Sequence, residues 1–219
     1  MFIFGFEMTA DEKYISDLIA EGEHQQQDFK FEISSARKIA KTLVAFANTD
    51  GGRLLIGVKD NGRVAGIKSD EEYYMIDAAA SMYCKPEISF KSYSRNFEGK
   101  TILEIVIEAS SEKPHFAQDE NNKWLAYHRV EDNNFLADYI LLQVWKREKR
   151  DTGTFIEYTE NEQRILNALQ DLGSSDMTAL VKYLPMNKRR LRAVLINLVA
   201  LRSVEMVYIG GQVFFRLNE

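Results

Sequence analysis

The chain is 219 residues long, 45% hydrophobic and 28% charged, with a net charge of −5. That length holds one large domain or two small ones, and the acidic balance excludes a globally basic nucleic-acid binder, so any contact with a polyanion must come from local patches. One cysteine, Cys84, excludes an intramolecular disulfide and a cysteine-rich zinc site.

The N-terminus, MFIFGFEM, is apolar but short and has no positive lead-in, so it does not read as a signal peptide. No stretch approaches the roughly 18 apolar residues of a membrane span, and cytoplasm is the expected location. Phe2, Ile3, Phe4 and Phe6 are expected to pair as a strand or pack on a partner subunit. Thr9-Ala10-Asp11-Glu12 is a capping box that opens a helix with Tyr14, Ile15, Leu18 and Ile19 on its apolar face, ending near Gly22. From Gln27 to Ile33 the pattern alternates, with Phe29, Phe31 and Ile33 on one side and Asp28, Lys30 and Glu32 on the other, which predicts a half-buried strand with a charged outer face. Ser34-Ser35 caps a second helix carrying Ile39, Leu43, Val44 and Ala47.

That helix runs into the stretch around which the chain is organised, Val44 to Ile67. Asn48-Thr49-Asp50-Gly51-Gly52 is a turn cluster of residues that tolerate positive φ. Leu54, Leu55, Ile56 and Val58 predict a short buried strand, and Asp60-Asn61-Gly62 predicts a hairpin that returns through Arg63 to Ile67. A third helix starts at Ser69-Asp70-Glu71-Glu72, with acids in its first turn, and Pro86 stops it. Strands follow at 87–95, 100–108 and 123–130, with Lys113-Pro114-His115 as a loop and a helix from Phe135 to Lys149. The first 150 residues thus read as a mixed α/β domain.

Beyond a linker at 146–153 the charge changes. From Asp151 onward acids and bases balance at eight each, so the first 150 residues carry the whole negative excess. Thr159-Glu160-Asn161-Glu162 is a second capping box; helices follow from there, at 176–184 and at 188–201, and a hairpin at 205–217 turns at Gly210-Gly211. Three helices and a hairpin in this order predict a winged helix at 155–219.

Glu23-x-x-x-x-Asp28-Phe29-Lys30, then Ala45-Phe46-Ala47-Asn48-Thr49-x-Gly51-Gly52, then Leu55-x-Gly57-Val58-x-Asp60-x-Gly62-x-x-x-Gly66 resembles the Schlafen AlbA-like domain. Lys113-Pro114-His115 and Tyr127-x-Arg129 extend the likeness, which runs over roughly Glu23 to Tyr139. Bacterial members are described as DNA-binding domains, divergent AAA-type ATPases or transcriptional regulators, and many carry a C-terminal winged helix. The resemblance implies an α/β nucleic-acid-binding domain. It also implies, from the vertebrate Schlafens, a carboxylate trio for metal-dependent RNA cleavage, which falls on Glu23, Asp28 and Asp60. This chain departs from that pattern in having Asp at position 28, one methylene short of the usual Glu, and in lacking the vertebrate zinc cysteines.

Two functional readings follow. The first is a DNA-binding regulator, expected as a homodimer. Its phosphate contacts would be Lys30, Arg53, Arg63 and Arg129 in the first domain and Lys188, Arg189, Arg190 and Arg192 at the start of the third tail helix. Cations there oppose the positive helix N-terminus and make sense against phosphate, although a solvated polar face reads the same way. The second is an endoribonuclease in which Glu23, Asp28 and Asp60 hold Mg²⁺ or Mn²⁺, hard cations that take oxygen ligands. Its bland counterpart has Glu23 capping, Asp28 paired with Lys30 and Asp60 making a turn. A scaffold without nucleic acid is a third class. ATP binding has little behind it, because GxxxxGK[ST] is absent and Gly51-Gly52 follows a helix instead of a strand. His24, His115 and His128 lack metal-ligand spacing and read as surface or structural residues.

Overall fold

The computed structural model describes residues 8–149 and 158–218. The strand or partner contact expected of Phe2, Ile3, Phe4 and Phe6, and the second half of the expected linker, lie outside these. The chain forms two compact units, Met1–Leu136 and Ala137–Glu219.

In the first unit, α1 (Ala10–Glu21) starts at the reciprocal capping box, where Thr9 Oγ1 accepts from the Glu12 amide and the Glu12 carboxylate from the Thr9 amide. It is followed by β1 (Gln27–Lys30), α2 (Ala36–Asn48, capped by Ser35), β2 (Gly52–Ile56), α3 (Glu71–Met82), β3 (Cys84–Lys85), β4 (Lys91–Phe97) and β5 (Lys100–Ile107). Short strands β6 (Phe116–Gln118), β7 (Trp124–Leu125), β8 (Tyr127–Val130) and β9 (Asn133–Leu136) complete it. The main sheet has the order β1-β2-β5-β4, with β1 and β2 parallel and the other pairs antiparallel.

Alternation along β2 and β5 splits the core in two. Leu54, Ile56, Leu103, Ile105 and Ile107 face one way and pack with Leu43 and Phe46 of α2 and Ile76 of α3. Leu55 and Ile102 face the other way, with Phe29, and meet Ile15 and Leu18 of α1. The helix α2 is buried almost all round, as expected of a helix sandwiched between a sheet and other elements.

Three expectations change. The strand from Gln27 ends at Lys30 instead of Ile33, leaving Phe31 40% exposed, and the supposedly outer Asp28 is buried. The reason is that β1 is an edge strand whose charged side is turned inward and met by cations. The hairpin expected at 54–67 shrinks to one bridge, Val58 to Val64. Gly57, at φ 96, bends the chain out of β2, and its carbonyl accepts from the amides of Ala65 and Gly66, so the true partners of β2 are β1 and β5. The helix expected from Phe135 begins only at Tyr139, because 133–136 pair as β9 with β8.

The second unit contains α4 (Tyr139–Glu148), α5 (Glu160–Leu172), β10 (Ser175–Asp176), α6 (Met177–Tyr183), α7 (Lys188–Ala200), β11 (Val204–Ile209) and β12 (Gln212–Leu217). The strand order is β10-β12-β11, all antiparallel. Ile140 and Val144 of α4 join Ile165, Leu169, Leu180, Leu191, Leu195 and Phe215 in one core. The sequence reading put α4 in the first domain; its apolar face packs into the second.

Candidate nucleic-acid interface

The motif residues after α2 form a hydrogen-bonded knot. Asn48 is 1% exposed; its Oδ1 accepts from the His115 amide at 2.7 Å, and its Nδ2 donates to the His115 and Tyr127 carbonyls, each at 2.9 Å. One side chain thereby joins the end of α2 to the loop before β6 and to β8. The His115 ring, also buried, lies between the Pro86 carbonyl and Ser110 Oγ, at 3.0 and 2.7 Å. A carbonyl only accepts, so Nδ1 carries the proton and Nε2 accepts from Ser110. Gly51 and Gly52 are required by space. A Cβ on Gly51 would stand 2.7 Å from the Ile107 carbonyl oxygen, and one on Gly52 would stand 2.4 Å from the Phe46 ring. The amides of this turn serve the fold, Gly51 donating to Phe46 O and Arg53 to Gln26 O, which leaves no phosphate cradle of the kind a nucleotide loop offers.

Of the three carboxylates, the structure brings two together. Glu23 Oε1 accepts from the Phe29 amide at 2.9 Å, and burial, together with the hydrogen bond its protonated form donates to Asp28, raises its pKa. Asp28, 5% exposed, meets Lys30 Nζ at 3.0 Å and Arg129 Nη2 at 3.7 Å. Asp60 is exposed in the turn after β2. Among the described residues no three His, Cys, Asp or Glu side chains are grouped so as to hold a metal ion. The pair does not fit a divalent cation either, since Asp28 is already met by two cations and Glu23 Oε1 is taken by the Phe29 amide.

The basic residues divide by environment. Arg129, expected at a phosphate, is 1% exposed. It donates through Nε to His24 O, through Nη2 to Gln27 O and through Nη1 to Asn134 Oδ1, and its guanidinium lies over the Phe46 ring. Lys30 is held by Asp28 and the Phe29 carbonyl. Arg53 donates to Tyr14 Oη and lies 3.9 Å from the buried Glu104. Only Arg63 of this set is fully exposed. A cleft of about 440 Å³ beside Arg53 also carries Glu21, Asp50 and Glu108, a poor lining for a polyanion.

The second unit is different. Lys188, Arg189, Arg190 and Arg192 are all exposed on the first turns of α7, which hold no acid. Asn187 caps the helix by accepting from the Arg190 amide at 2.9 Å. Among the described residues no carboxylate lies within ion-pair distance of these four. Arg192 instead lies 5.9 Å from the centroid of the Tyr139 ring. Asp138, the N-cap of α4, senses Arg192, though burial still raises its pKa.

The pattern of the Schlafen AlbA_2 family matches residues 23–138, more than half of the chain. The chain belongs to this family. No curated protein matches it. Among solved structures it is similar to the DIP2311 protein from Corynebacterium diphtheriae, with a TM-score of 0.46 and 15% identity over 92% of this chain and 56% of that one. It therefore spans little more than half the length of that protein. It is also similar to the N-terminal domain of a RecG-related protein from Nitrosomonas europaea, with a TM-score of 0.41 and 22% identity over 52% of this chain and 83% of that domain.

In this AlbA_2 chain, sequence reasoning missed Tyr139, Gln143 and Arg147, which share one stripe of α4 beside the basic start of α7. Their spacing of four was the available signal, hidden because the helix was assigned to the other domain. His128, read from sequence as surface or structural, is 5% exposed beside Phe135, and burial lowers its pKa to about 4. The unfolded chain takes up a proton near pH 6.5 and the folded one only near 4, so stability is full above 6.5 and falls as the pH drops between the two. The loss is expected to reach about 3 kcal/mol, read as a urea midpoint that declines over this window in the native protein and declines less in His128→Gln.

Proposed function

We propose that this chain is a cytoplasmic nucleic-acid-binding protein, a DNA-binding regulator whose second unit is a winged helix that presents α7 to the major groove. The observation that carries the reading is the group of four exposed cations on the first turns of α7, with no carboxylate within ion-pair distance among the described residues. Packing three like charges into one helical turn is unfavourable unless an anion faces them. The order of helices and hairpin, with β10 beside β12, supports the assignment. The family resemblance to nucleic-acid-binding domains supports it as well.

In this reading the first unit holds the protein's framework and adds Arg63 at its edge, and two copies bind one site. The endoribonuclease alternative gains nothing from the disposition of Glu23, Asp28 and Asp60. The test is fluorescence anisotropy with a mixed-sequence duplex over a salt series. The logarithm of affinity should fall linearly with the logarithm of salt, and Arg190→Ala should weaken binding and reduce the slope by about one. A two-to-one stoichiometry is expected. An affinity indifferent to salt, or a slope that Arg190→Ala leaves untouched, would overturn the reading.

A further inference from the structure

A cleft of about 550 Å³ opens in the second unit between α4 and α7. Tyr139, Gln143 and Arg147 come from α4; Lys188, Arg189 and Arg192 come from α7. Every charged side chain on its wall is a cation, whereas the clefts of about 440 and 320 Å³ in the first unit are lined by three glutamates or aspartates each. Its volume lies in the range of small-ligand sites, roughly 300 to 1,000 Å³. A duplex is convex and rides on protruding helices; a concavity of this size admits one nucleotide.

The chemistry inside matches the parts of a nucleotide. Tyr139 is 57% exposed, an aromatic face open to solvent, with the Arg192 guanidinium 5.9 Å from its ring centroid. Ring and guanidinium planes are the surfaces on which unpaired bases stack. Gln143 offers a carboxamide donor and acceptor for a base edge. Arg147 is oriented by a hydrogen bond from Nη1 to Asn197 Oδ1, which keeps its fork beside the cleft and leaves further donors. Lys188 and Arg189 add positive charge, and Ala193 and Ile196 give an apolar floor.

We propose that the cleft between α4 and α7 binds a phosphorylated nucleotide with an unpaired base, stacked on Tyr139 with its phosphates against Arg147, Lys188, Arg189 and Arg192. The nucleotide is either free or part of a single strand. This goes beyond duplex binding and separates from it, because Arg190 lies outside the cleft while Tyr139 and Gln143 lie off α7.

The experiment is calorimetric titration of the full chain with ATP, GTP, oligo-dT and inorganic triphosphate, in native protein and in Tyr139→Ala, Tyr139→Phe and Arg190→Ala. Circular dichroism confirms folding, which an exposed Tyr139 should not disturb. Tyr139→Ala is expected to weaken nucleotide binding about tenfold or more, Tyr139→Phe to restore it, and Arg190→Ala to leave it unchanged while duplex affinity falls. Binding of ATP or GTP without oligo-dT assigns a free nucleotide; oligo-dT alone assigns a strand. The proposal is overturned if no nucleotide probe binds, if Tyr139→Ala binds like the native chain, or if inorganic triphosphate binds as tightly as the nucleotides. Duplex binding that survives any of these failures leaves the regulator reading in place.

Discussion

Arg129→Ala is expected to cost the first unit about 3 to 5 kcal/mol, the range for breaking a buried ion pair by removing one partner, and to lower its melting temperature by about 10 °C or more. The edge strand β1 lies beside this side chain, which donates at 3.0 and 2.8 Å to the carbonyls of His24 and Gln27, just before and at the start of the strand. Removing it takes one donor from each of those carbonyls, which keep only their mutual backbone bonds, and the donor from the Asn134 carboxamide oxygen. It also leaves Asp28, 5% exposed, with Lys30 as its remaining cation. The guanidinium has its own cost: burial lowers its pKa, and Asp28 and Glu23 oppose that shift. The site thus sets one buried cation against the neighbouring carboxyl groups of Asp28 and Glu23. Arg129→Lys keeps the charge but not the fork, and one ammonium cannot reach His24, Gln27 and Asn134 at once. The lysine variant is therefore expected to lose most of the same stability in urea titrations. Its salt slope for duplex binding should match the native protein's; a shallower slope would restore Arg129 as a phosphate contact.

The reach of sequence reasoning followed how local each determinant is. Both capping boxes were legible because the two partners lie three residues apart, and the structure has them at Thr9 and Thr159. The motif glycines were legible as turn formers, but not the Phe46 ring that makes Gly52 obligatory, since that contact is set by packing. Asp28 and Arg129 looked like surface charges. They meet across 101 positions of sequence, and nothing in either neighbourhood encodes that they neutralise each other. Asn48 was legible only as a member of a turn cluster; that both its polar atoms are turned inward to His115 and Tyr127 is set by distant packing. The basic start of α7 was visible as a run, while the cleft beside it needed α4 to be assigned to the correct unit.

Glu104 should carry the next largest effect. It sits on β5 facing α1 at 1% exposure, in a run whose other members are apolar. Tyr14 donates to its Oε1 at 2.7 Å, Arg95 Nε to its Oε2 at 3.0 Å, and Arg95 Nη1 reaches Asp11 at 3.2 Å. The network thus ties α1 to β4 and β5 through one carboxylate. Burial, reinforced by the Glu104 carboxylate, also raises the pKa of the Tyr14 phenol. Glu104→Ala removes the acceptor and leaves two guanidiniums and a phenol around a cavity. Arg53 and Arg95 are 34% and 27% exposed on their side chains, so water takes up part of the lost interaction. The expected cost is therefore about 2 to 4 kcal/mol, below the full penalty of an orphaned buried charge. Glu104→Gln retains volume and one acceptor oxygen and should cost about half as much. The distinctive consequence is local. Amide hydrogens of α1 should exchange faster in Glu104→Ala while those of α2 keep their protection, because α2 is held by the opposite core. Uniform loss of protection across both helices would show that Glu104 supports the unit as a whole instead of fastening α1. A double-mutant cycle of Glu104→Ala with Arg95→Ala should give a coupling of about 1 to 3 kcal/mol. Additive effects would mean that the network's stability comes from packing around Tyr14 and not from the ion pair.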